Sequence, residues 1–187
     1  MQVGIIRALL DYFISSHYCQ GMFYITDENS TSDIPKGDFV TSKKLLELIN
    51  NAIAQEMQVS IQYMWQHLMA KGIEGATVEN TFRETSITEM KHAEDLAERL
   101  AFLNGVPTNN PNPVHIGHSL EEMLKEDVQA EEEAIRLYKE AIQIADKEGD
   151  YATRRLLEEI LSNEEKHLDK FGKLLVGMTS PFTQPQL

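Results

Sequence analysis

A chain of 187 residues with 42% hydrophobic and 25% charged residues suits one globular domain of ordinary size with a full core. Its net charge of -13 argues against nucleic acid as the main partner, because phosphate binding needs basic patches, and is compatible with a protein that attracts cations. One cysteine, Cys19, excludes a disulfide framework and a cysteine-rich metal site and suggests a reducing, cytoplasmic setting. No run of about eighteen apolar residues occurs, so no membrane helix is expected.

Residues 1–40 differ from the rest. They show no sustained helical period, and "DENSTSDIPKGD" is a loop or linker by composition. The apolar patch in "MQVGIIRALLDYFISSHYCQG" is interrupted by Asp11 and no clean cleavage signature follows, so a signal peptide is not expected. These forty residues read as an appendage, disordered or untranslated. In the untranslated reading, "KGDFV" reflects a purine-rich ribosome-binding sequence just upstream of a GTG start at Val40.

Residues 41–176 carry the domain. Ser42 caps a first helix expected to reach about Lys71, before Gly72, with an inner stripe of Leu46, Ile49, Ile53, Glu56, Ser60 and Tyr63. A second helix is expected from about Ala76 to Leu103, where "NGVP" stops it, with the stripe Phe82, Thr85, Glu89, His92, Leu96 and Leu100. "VPTNNPNPVHIGHS" is an extended connection, long enough to run from one end of a bundle to the other. Ser119 and Glu122 have capping-box spacing for a third helix to about Lys147, with the stripe Leu124, Val128, Glu131, Ile135, Tyr138 and Ile142. Asp150 caps a fourth to about Val176, with the stripe Leu157, Ile160, Glu164, His167, Phe171 and Leu175. The tail, residues 177–187, has two prolines and is not a long helix. The expected fold is all-α: an antiparallel four-helix bundle with a long crossover between helices 2 and 3.

Each of these stripes carries ionisable residues where apolar ones belong: Glu56, Glu89, His92, Glu131, Glu164 and His167. An isolated carboxylate in a bundle core is costly, and four together repel one another. Two divalent cations would balance four carboxylates and leave two neutral imidazoles as nitrogen ligands. "TEMKHAED" and "NEEKHLDK" each hold Glu-x-x-His, a spacing that places both side chains on one helix face. One such motif is weak evidence of a metal. Here the pattern is duplicated in phase. Glu89 follows Glu56 by 33 positions, Glu164 follows Glu131 by the same 33, and Tyr63 and Tyr138 each follow the first Glu by seven. Two helical hairpins related by a pseudo-twofold axis would aim all six side chains at one point. The register also selects Glu131 from the run at 131–133, and Glu164 over Glu165. His67, His115 and His118 read as surface or satisfied core residues. The two tyrosines read either as core aromatics or as phenols that bond a ligand carboxylate or carry an electron.

This arrangement resembles the ferritin-like di-iron carboxylate family, and within it bacterioferritin, over about Ser42 to Leu175. "LLELINNAIAQEMQVSIQY", "EMKHAEDLAERLAFLNGVP", "SLEEMLKEDVQAEEEA" and "DYATRRLLEEILSNEEKH" carry the likeness. The resemblance implies terminal iron ligands at Glu56 and Glu131, bridging ligands at Glu89 and Glu164, and one iron each for His92 and His167. It implies two iron ions per subunit, ferroxidation of Fe(II) by dioxygen or hydrogen peroxide, and storage in a homo-oligomer, with a 24-subunit shell as the usual form. Met90 corresponds to the methionine that binds haem b between two subunits; the other reading is a methionine that only fills a gap where the helix packs against a partner. The chain departs from that pattern at Thr88 and Asn163, where an aspartate usually stands, and in its tail, which lacks the short fifth helix of the usual shell. The competing reading is a di-iron redox enzyme without storage, such as a rubrerythrin-like peroxidase or an oxidase; a metal-free interaction module ranks below both.

Overall fold

In a computed structural model, residues 41–179 are described. Four helices hold most of them: α1, Lys43–Met69; α2, Gly72–Phe102; α3, Leu120–Glu148; and α4, Tyr151–Thr179. There is no strand among the described residues, and none of these helices is long and apolar enough to cross a membrane. The expectations for residues 1–40 and for the last eight residues of the tail lie outside the described residues.

Local chemistry sets the helix ends. The Ser42 hydroxyl accepts the Leu45 N–H at 3.1 Å, and the Ser119 hydroxyl accepts the Glu122 N–H at 3.2 Å. Gly149 ends α3 with a φ of 72°, a conformation a side chain would disfavour. Asp150 accepts the Thr153 N–H at 3.0 Å at the start of α4, and Arg99 from α2 donates to the same carboxylate at 2.7 Å. Burial pushes the Asp150 carboxyl up, but hydrogen bonds from Thr153 and the charge of Arg99 outweigh it and hold the group below its ordinary range.

One boundary differs from expectation by a full turn: α2 begins at Gly72, not at Ala76. Gly72 takes a φ of 76°, which reverses the chain tightly. Gly75 then passes so close to the end of α1 that a Cβ there would sit 2.7 Å from the Ala70 carbonyl carbon. The two glycines therefore form the turn and the first helical turn together rather than a loop.

The helices pack in pairs, α1 with α2 and α3 with α4, and α1 also meets α3 while α2 meets α4. α1 and α3 run antiparallel: the Ser42 N–H reaches Glu148 at the end of α3, and Gln66 near the end of α1 reaches the Ile116 carbonyl just before α3. The crossover runs alongside α1, tied at Val106 and Thr108 to Asn50, at Asn112 to Ala54, and at His115 to Gln62. This is the antiparallel bundle with a long connection between its second and third helices.

Two apolar clusters fill the interior. One gathers Ile49, Ile53, Leu96, Tyr138, Leu157 and Ile160; the other gathers Val59, Tyr63, Phe82, Leu124 and Phe171. The stripe of α2 is buried throughout, whereas Leu46, Ser60, Val128, Ile142 and Leu175 from the other stripes are only half-buried. Leu45, Leu48 and Val59 take the deeper places on α1, because a core-facing helix buries a broad face rather than one line of residues. On every helix the chain passes from one cluster to the other through a stretch that contains the expected ligands.

Candidate metal centre

Glu56, Glu89, His92, Glu131 and Glu164 lie in that intervening layer, none more than 4% exposed. His167 sits half-buried at its edge. Their donor atoms form two sets. Glu56, Glu89, His92 and Glu164 make one, Glu89, Glu131, Glu164 and His167 the other, and within each set the atoms lie within 4.8 Å of one another. Glu89 and Glu164 belong to both. All six residues singled out from the sequence thus come together, and His67, His115 and His118 join neither set.

The distances are short. His92 Nδ1 lies 2.8 Å from Glu89 and 2.9 Å from Glu164, and His167 Nδ1 lies 2.8 Å from Glu89 and 3.4 Å from Glu164. Yet both Nδ1 atoms, both Glu89 oxygens, Glu56 Oε2 and Glu164 Oε1 lack a partner in hydrogen-bond geometry. Lone pairs that approach closely without aiming at one another point at the space between them. Buried, unpartnered oxygen and imidazole donors of this kind suit divalent metal ions of the first transition row.

Without metal, protons neutralise the cluster. Burial, reinforced by the charges of Glu164 and Glu89, pushes Glu56 up to about 8 from an ordinary 4.5. Burial with the charges of Glu89 and Glu164 likewise raises Glu131 well above its ordinary value. Burial alone would lower the two imidazoles. The surrounding carboxylates outweigh it, raising His92 to about 12 and His167 to about 9. Burial opposes the charge on Glu164 as well, but contacts with His167 and His92 hold it at about 2. At neutral pH the metal-free site therefore carries protons on Glu56 and both histidines, and any metal that enters displaces them.

The tyrosines resolve in favour of a polar role. Tyr63 donates to Glu131 at 2.5 Å, and Tyr138 donates to Glu56. Each phenol thus bonds the carboxylate of the other hairpin, as the pseudo-twofold relation requires. Burial first, then the neighbouring carboxylates, raises both phenols well above 10, so they remain donors.

Sequence reasoning missed a second buried polar group. Asp127, four residues before Glu131 on α3, is fully buried and accepts from Gln62 at 2.9 Å and Gln66 at 2.8 Å. Burial pushes it up to about 8, against the opposing effect of the two amides. Its place on the ligand face of α3, one turn from Glu131, was the available signal. Met90 lies half-buried on α2, outside both apolar clusters, one residue beyond Glu89 and so about 100° around the helix from it.

Comparison with known proteins agrees with this geometry. A family model described as a ferritin-like domain matches residues 46–179. The chain is 38% identical over 128 residues to the bacterioferritin of Brucella melitensis, covering 67% of this chain and 79% of that protein. It is 34% identical over 136 residues to the bacterioferritin of Rhodobacter capsulatus, covering 72% and 81%. For the bacterioferritin of Desulfovibrio desulfuricans the identity is 32% over 132 residues, covering 70% and 74%. The paired helices, the buried acidic layer and these matches have one reading: the chain belongs to the ferritin-like family, among the bacterioferritins.

Proposed function

We propose that this protein oxidises Fe(II) to Fe(III) at the Glu56–Glu89–His92–Glu131–Glu164–His167 centre and stores the product in a homo-oligomeric shell. The observation that carries this is the sharing of Glu89 and Glu164 between two donor sets. Two Fe(II) ions enter as substrate. Glu56 and His92 bind one, Glu131 and His167 the other, and Glu89 and Glu164 bridge them. Each ion gives up one electron. Dioxygen takes both electrons with two protons and leaves as hydrogen peroxide; alternatively, hydrogen peroxide takes them with two protons and leaves as two waters. The four carboxylates favour the harder Fe(III) product. Tyr63 and Tyr138 hold Glu131 and Glu56 in place by donating to them. The Met90 thioether is proposed to bind haem b between two copies of the chain. The proposed shell has 24 subunits and lies in the cytoplasm.

One preparation tests the reading. The purified full chain is sized, then given many Fe(II) per subunit in air. A large assembly that retains far more than two irons per chain is expected, with a Soret band that Met90→Leu removes. A small oligomer that stops at two irons would instead establish a non-storage di-iron redox enzyme. Loss of the Soret expectation alone would remove haem and leave storage standing.

A further inference from the structure

The duplicated pattern leads one to expect two equal metal positions. The side chains behind the two histidines are not equal. Asn163, immediately before Glu164 on α4, reaches across to α2, and its amide nitrogen lies 3.2 Å from His92 Nε2. Its amide oxygen accepts from Lys166 at 3.1 Å. Thr88 occupies the matching place immediately before Glu89. Its hydroxyl turns back instead and donates to the Glu84 carbonyl of its own helix at 3.1 Å. Among the described residues no side chain hydrogen-bonds the outer nitrogen of His167. The exposures differ in the same sense: the His92 side chain is 6% exposed and that of His167 12%.

We infer that the metal pair is unequal by construction. The position at Glu56 and His92 binds first and holds its metal; the position at Glu131 and His167 binds second and exchanges. This inference rests on the di-iron reading of the site and deepens it. The physical reason lies in the outer ring nitrogen. An imidazole that coordinates through Nδ1 carries its hydrogen on Nε2, and a fixed acceptor there sets the tautomer, orients the ring and makes the ligand nitrogen more basic. As it stands the Asn163 amide turns its nitrogen to the ring and its oxygen to the exposed Lys166; when Nδ1 takes a metal and Nε2 carries the hydrogen, a half-turn of the amide that releases Lys166 to solvent gives His92 the acceptor. His167 has none, and its ring is oriented only by the carboxylates in front of it. Loss of such a partner typically costs about 10–100-fold in metal affinity. Asn163 is thus a positioning residue for His92, and Thr88, whose hydroxyl bonds its own helix, leaves His167 without one.

Titration of the metal-free full chain with Co(II), followed by its ligand-field absorption under argon, reads the two positions directly. The natural chain is expected to bind two Co(II) in two steps separated by about 10–100-fold. Asn163→Leu, of similar size without the amide, should weaken the first step toward the second, and Asn163→Asp should restore it. Thr88→Val should change neither step, since its hydroxyl serves only its own helix. Thr88→Asp should tighten the second step and draw the two together. Two equal steps in the natural chain, or a Thr88→Val effect as large as that of Asn163→Leu, would overturn the inference while leaving the di-iron reading intact. Failure to bind any Co(II) would overturn both.

Discussion

Glu89→Gln combined with Glu164→Gln is expected to abolish rapid Fe(II) oxidation, with a loss of more than about a hundredfold in initial rate. The expectation follows from position. These two carboxylates touch both histidines and both donor sets, so their removal takes two oxygen ligands from each metal. Glutamine keeps the shape and one oxygen but supplies no charge to balance a cation. The control lies one residue further on. Glu132→Gln with Glu165→Gln alters exposed side chains, which pair only with Arg136 and Lys139 on the surface, and should leave the rate unchanged. Stopped-flow absorbance after mixing with Fe(II) in aerated buffer distinguishes the two variants. Equal rates in both would mean that the register of the two motifs has been misassigned.

A second large effect appears in stability against pH. Glu56 has a folded value near 8 against an ordinary 4.5, so folding takes up a proton between those limits. Stability from that group is intact below about pH 4.5 and declines as pH rises, by about 1.4 kcal/mol per pH unit, until its folded value is passed. Glu131, His92 and His167 are all shifted upward too and act in the same direction, the histidines above about pH 6.5. The metal-free protein should therefore lose stability steadily from pH 5.5 to 7.5. Divalent metal should reverse the slope. Rising pH removes the protons that compete for the ligands, the metal binds more tightly, and bound metal stabilises the folded chain by mass action. Urea denaturation with chelator and with excess Co(II), at pH 5.5, 6.5 and 7.5, tests both slopes. In Glu56→Gln the metal-free slope should shrink by about 1.4 kcal/mol per pH unit. A metal-free stability that is flat or rising over this range would contradict the assignment of buried protons.

The bundle and its six central residues were legible in the sequence for a specific reason. A core-facing stripe tolerates only apolar residues unless something compensates, so Glu56, Glu89, Glu131 and Glu164 stood out against their neighbours, and the repeated 33-residue interval put them in one layer. Other features depended on geometry that periodicity does not carry. The start of α2 was read as a loop because glycine usually marks one; at Gly72 and Gly75 it instead permits a reversal and a close approach. The direction of the two phenols, each toward the opposite hairpin, follows from how α1 and α3 face each other across the core. Thr88 and Asn163 are both small and polar, and nothing in the letters says that one hydroxyl turns to its own backbone while the other residue's amide crosses to His92. Asp127 was passed over because its partners, Gln62 and Gln66, come from a helix more than sixty residues earlier in the chain.

The account rests on two metal ions bound within one chain, between the two hairpins. Crystals of the full chain soaked anaerobically in Fe(II), with anomalous diffraction recorded on either side of the iron edge, test this most directly. Two strong anomalous peaks are expected in each subunit, one between Glu56 and His92 and one between Glu131 and His167, with Glu89 and Glu164 in contact with both. A single peak, peaks confined to the surface, or none in that layer would contradict the central claim.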